Sequence, residues 1–118
     1  MNEQQFKERT KKLGLRVIQM VESLPRSRTA DVIGRQILRS ATSIGANYRA
    51  ACRAKSTADL INKLKIVEEE ADETLYWQEV LIEAGLVSEV QLSDLMAETN
   101  EILAMIVASI KTLRSRQI

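Results

Sequence analysis

The chain has 118 residues, 45% of them hydrophobic and 28% charged, which suits one domain with a real core and is too short for two. The single cysteine, Cys52, excludes an internal disulfide, and the absence of histidine removes the usual base of a serine or cysteine nucleophile. A formal net charge of +1 argues against a polyanionic partner only if the charges are evenly spread, and they are not.

Ala, Leu, Ile, Glu, Lys and Arg are frequent and there is one proline, so helix is favoured nearly throughout. Helix one is expected over residues 3–23, with Phe6, Leu13, Val17, Met20, Val21 and Leu24 near helical spacing. Gly14 weakens it by roughly 1 kcal/mol relative to alanine without breaking it, and Pro25 ends it. Ser27 or Thr29 then caps helix two, expected over 29–53. Its seam is Ile33, Ile37, Ala41, Ile44, Tyr48 and Ala51. Beside that seam Gly34, Ala41, Gly45 and Ala46 keep the surface thin, for tight packing inside a bundle or for a subunit interface.

Ser56 and Asp59 fit a capping box with a short acid, starting helix three over 57–84. Its stripe is Leu60, Leu64, Val67, Ala71, Leu75, Gln78 and Ile82, and Gly85 followed by Leu86 reads as a left-handed stop. Ser88 and Gln91 open helix four over 89–114, with fraying expected from Ser115 to Ile118. Four helices and short turns predict an all-α, up-down-up-down antiparallel bundle in a single domain. The polar start of the chain offers no signal core, and Ile102 to Ile110 is shorter than the about 20 residues that span a bilayer, so a cytoplasmic setting without membrane is expected.

Residues 26–65 carry nine basic side chains against Asp31 and Asp59, whereas residues 66–101 carry eleven acidic ones and no Lys or Arg. In an antiparallel pair folded near Lys55, Arg39 lies near Ala71, so Arg35 and Arg39 are expected to pair with the acids from Glu68 to Glu73. Arg49, Arg53, Lys55, Lys63 and Lys65 lie at the hairpin tip, where only Asp59 answers them. The topology brings Lys7, Arg9, Lys11, Lys12, Lys111, Arg114 and Arg116 to the same end. Lysines near helix N-termini gain nothing from the macrodipole, so this end is either an electrostatic site for phosphates or a solvated face. Tyr48 is the lone ring near it and gives no support to base stacking.

The carboxylates of Glu68 to Glu73 suggest a metal site in a bundle, but the di-iron pattern needs Glu-x-x-His. Neither a metal nor another cofactor is expected. The glycines are scattered and cradle no phosphate, so the sequence carries no enzyme motif. Trp77 suits either core or protein interface.

The stretch from Arg35 to Val87 resembles the four-helix bundle family that includes proteins encoded in intervening sequences of bacterial large-subunit ribosomal RNA genes. It is similar, more distantly, to the accessory variability protein of diversity-generating retroelements. The match is most specific at Arg39 and at Ser43 to Asn47. Gly45 stands where many members have proline, and Tyr48-Arg49-Ala50-Ala51 makes the tip more basic than usual. The segment from Glu69 to Trp77, EEADETLYW, looks like a subgroup signature, with the Asn47 amide held by Glu69 or Glu70. The resemblance implies a homopentameric ring, a basic surface that engages RNA or DNA, and a protein partner such as a reverse transcriptase.

Two readings follow from residues and resemblance together. One is a non-enzymatic oligomer binding nucleic acid without strong sequence preference through Lys11, Lys12, Arg49, Arg53, Lys55, Lys63, Lys65 and Arg114. The other is an interaction scaffold built on Arg35, Arg39, Asn47, Glu69, Glu70 and Trp77.

Overall fold

Each helix begins at a short polar side chain that accepts an amide three residues on. Asn2 accepts from Gln5, Ser27 from Ala30, Ser56 from Asp59 and Ser88 from Gln91. Such caps contribute about 1 kcal/mol each. The resulting computed structural model, which describes residues 1–117, contains α1 (Glu3–Glu22), α2 (Arg28–Ala51), α3 (Thr57–Glu83) and α4 (Glu89–Ser115). The Asn2–Gln5 capping box escaped the sequence reading, and Ile118 lies outside the described residues. Ser27, not Thr29, caps α2. That helix stops two residues short of Arg53, because Arg53 and Ala54 tighten into bonds to Ala50 and Ala51 three residues back.

At the α3 start the Ser56 hydroxyl takes the Asp59 amide at 3.1 Å as expected. The Asp59 carboxylate reaches one residue further back than a capping box requires, accepting from the Lys55 amide at 3.0 Å. Gly85, at φ +75°, closes α3 with Leu86 bonded to the Leu81 carbonyl at 2.9 Å and Gly85 to Ile82 at 3.0 Å.

Neighbours in the chain are neighbours in space: α1 packs on α2, α2 on α3 and α3 on α4, and α4 returns to α1 along the sparsest seam. The bundle measures 50 × 21 × 20 Å. Its core is one apolar column in which Val17, Ile37, Ile44, Val67, Leu81 and Ile102 have no exposure. On α3 the buried arc is broader than the expected stripe. Ile61 and Leu81 are buried while Leu60 and Ile82 are half-buried, because this helix faces both α2 and α4. The column also encloses polar groups. Ser40 and Thr74 share a hydrogen bond at 3.0 Å between α2 and α3, and Gln78 Nε2 donates to Thr99 at 3.0 Å between α3 and α4.

The thin surface on α2 is used inside the bundle. A Cβ on Gly45 would lie 3.3 Å from the Lys11 nitrogen and 3.4 Å from the Thr10 carbonyl, both backbone atoms of α1. Gly45→Val is therefore expected to lower stability by about 1–3 kcal/mol, read as a lower midpoint in urea with unchanged slope. Gly85→Ala, where the cost is a left-handed backbone in open space, is expected to lose about 1 kcal/mol in the same assay.

Candidate nucleic-acid interface

The antiparallel topology gathers the start of α1, the end of α2, the start of α3 and the end of α4 at one end. A groove of about 690 Å³ there is bordered by Glu3, Tyr48, Lys55, Leu60 and Leu113, one or more residues from each helix. A second groove, about 590 Å³, runs between α1 and α2, with Lys7, Lys11, Arg49 and Arg53 at one end and Leu15 and Ile18 further along.

Several cations expected at this end are already engaged. Arg9 donates to both oxygens of Glu98 at 2.7 Å and lies 2.9 Å from Glu101, clamping α1 to α4. Hydrogen bonding to Glu98 holds the Arg9 guanidinium well above its ordinary pKa, despite its desolvation. Lys63 is tied to Asp59 at 2.8 Å, and Lys7 lies 3.5 Å from Glu3. Lys12 is exposed and makes no ion pair among the described residues. Lys11, Lys12, Arg49, Arg53, Lys55, Lys65, Lys111, Arg114 and Arg116 are exposed and have no carboxylate partner among the described residues. These are the cations left to meet an anion.

Tyr48 is committed elsewhere. Its ring meets Phe6 edge-on at 4.7 Å, and burial raises its hydroxyl pKa. Burial likewise pushes the neighbouring Cys52 thiol up, which keeps it in the unreactive protonated form.

The expected polar network between α2 and α3 forms in part. Arg39 pairs with Glu73 and lies 3.5 Å from Glu70, and the Trp77 indole donates to Glu73 at 3.1 Å. Desolvation raises the Glu73 pKa, but the bonds from Trp77 and Arg39 outweigh it and leave the carboxyl below its ordinary value. Trp77 is half-buried against the core, in edge contact with Tyr76. Three expectations fail here. Arg35 makes no ion pair among the described residues, because one turn back on α2 means one turn forward on antiparallel α3, where Thr74 to Trp77 offer no carboxylate. Glu69 points to solvent. Asn47 donates to the Ser43 carbonyl at 2.8 Å within its own helix, since it lies two turns beyond Arg39 and faces an earlier part of α3 than Glu69 or Glu70. Among the described residues no three carboxylates or thiols converge on a possible metal position.

The Arg9 clamp was absent from the sequence reading although a signal for it exists. Arg9, Lys12 and Arg16 flank the α1 core stripe at steps of three and four, and Asp94, Glu98 and Glu101 do the same on α4.

Fold and surface thus define a small antiparallel four-helix bundle distinguished by charge polarity. The chain matches the model of the 23S rRNA-intervening sequence protein family over residues 2–108, and it belongs to that family. It is also similar to the crystal structure of a protein of unknown function from the S23 ribosomal protein family of Bacteroides thetaiotaomicron VPI-5482. That similarity has a TM-score of 0.86 and 37% identity, covering 94% of this chain and 99% of that one. No curated protein matches. No helix among the described residues is long and apolar enough to cross a membrane.

Because Arg9 holds the Glu98 carboxyl below its ordinary pKa, that contribution is complete above the ordinary carboxylate range and is lost as pH falls through it. Arg9→Ala should cost about 2 kcal/mol at neutral pH. Glu98→Gln should flatten the acid limb of a stability-versus-pH curve measured by urea unfolding between about pH 7 and pH 3.

Proposed function

We propose that the protein is a non-enzymatic, self-associating helical bundle whose basic end binds RNA or DNA without strong sequence preference. The observation that carries this reading is the convergence of exposed, unpaired cations from all four helices: Lys11 from α1, Arg49 from α2, Lys65 from α3 and Arg114 from α4, with Arg53 and Lys55 in the turn. Cations placed this way neutralise phosphates and release counterions, so affinity falls with salt. Tyr48 packs inward, which favours backbone contact over base stacking. The family's description refers to an intervening sequence of 23S rRNA, which is compatible with an RNA partner. Assembly into a ring, and a protein partner such as a reverse transcriptase, belong to the same reading through the resemblance of the α2–α3 hairpin.

Fluorescence anisotropy with a labelled random-sequence RNA tests it. Binding is expected at about 50 mM salt and should weaken steeply toward 200 mM. Lys55→Glu with Arg114→Glu should lower the salt slope by about 2 and weaken binding to every sequence alike. Absence of binding at the lower salt would reject the reading.

A further inference from the structure

Two exposed stripes on different faces of this bundle complement each other. On α3, Glu69, Asp72, Tyr76, Glu79 and Glu83 are all exposed and recur at steps of three and four, which aligns them along one solvent-facing line. Tyr76 is 57% exposed in the middle of that line, and none of the four carboxylates has a cationic partner among the described residues. The α1–α2 groove has the opposite character. Leu15 is 52% and Ile18 38% exposed along it, Lys11, Arg49 and Arg53 stand at its other end, and Glu8 is its one carboxylate. Gly14 and Gly45 line it too, so no side chain fills the crossing of the two helices.

We infer that the acidic α3 stripe of one copy docks in the α1–α2 groove of a second copy. Tyr76 seats against Leu15 and Ile18 while the carboxylates on one side of it answer Lys11, Arg49 and Arg53. A helix laid along a groove with an apolar stretch and complementary charge is a recurrent mode of recognition. A net charge of +1 sets no overall repulsion against self-association. Because stripe and groove are different patches, the contact is head-to-tail. Every copy uses one of each, and the assembly ends only where a ring closes. This inference rests on the self-association proposed above and assigns the faces that make it.

Light scattering after size exclusion, at about 0.15 M salt, tests it with two variants confined to exposed positions. Tyr76→Lys with Glu79→Lys disables the stripe, and Lys11→Gln with Leu15→Gln disables the groove without making it complementary to the altered stripe; circular dichroism melting verifies that both fold. The wild type is expected to be larger than the 13.3 kDa protomer, and each variant alone to be monomeric. An equimolar mixture should form a capped 1:1 dimer, because each variant keeps the face its partner lacks. A monomeric wild type overturns both this inference and the proposed self-association. A wild-type assembly that survives both variants, or variants that stay monomeric when mixed, overturns the inference alone. If the groove variant loses RNA binding but keeps its assembly, the groove belongs to nucleic acid, and the inference is likewise overturned.

Discussion

Ser40 and Thr74 meet across the buried seam of α2 and α3, and the antiparallel register they mark decides where every charge on those helices ends up. Each hydroxyl also bonds a carbonyl of its own helix, Ser40 to Ile37 and Thr74 to Glu70, so a slip along this seam would cost their shared bond and the packing around it. In the observed register Arg39 falls between Glu70 and Glu73, and the Trp77 indole completes the contact through Glu73. The same register carries Arg35 past the acids and leaves Glu69 and Asp72 facing water. One constraint thus separates the charges used by the fold from those available for binding.

The outer helix α1 is attached to its two neighbours by different physics. Against α2 it approaches until the Gly45 position nearly touches its backbone, so contact there is van der Waals packing with no room for a side chain. Against α4 it touches sparingly and is held by the Arg9 fork on Glu98, with Glu101 beside it. Dispersion contacts are indifferent to pH and salt, whereas the Arg9 clamp weakens as Glu98 is protonated. The α1–α4 edge, like the Arg39–Glu73 contact between α2 and α3, therefore responds to pH, and it has less packing than that seam to fall back on.

Polarity along the chain becomes polarity in space because the helices alternate in direction. Cations at the start of α1, the end of α2, the start of α3 and the end of α4 reach one end of a 50 Å body, while acids in the middle of α3 lie along its flank. A polyanion and a second copy of the chain therefore address adjoining surfaces that share Lys11, Arg49 and Arg53 where these border the α1–α2 groove.

The sequence by itself determined the four helices, the caps of α3 and α4 and most of the core, because these depend on local chemistry. Ser56, Ser88, Pro25 and Gly85 act within a few residues of themselves, and apolar residues at helical spacing must face inward whatever their neighbours. Arg39 beside Glu70 and Glu73 was legible as well, since a short turn fixes an antiparallel pairing to within about one helical turn. Only the tertiary structure decided which cations are free. Arg9 was counted with the basic end until α4 brought Glu98 to it, and Asn47 was assigned to acids that the register keeps out of reach. Ion pairs between helices depend on rotation about each axis and on shifts of a few ångströms, and a side chain reaches its partner or misses it on that scale. The α1–α2 groove was hidden for the same reason. Its apolar stretch is made by Leu15 and Ile18, which come to line one groove with Thr42 and Ala46 only because Gly45 lets the two helices close.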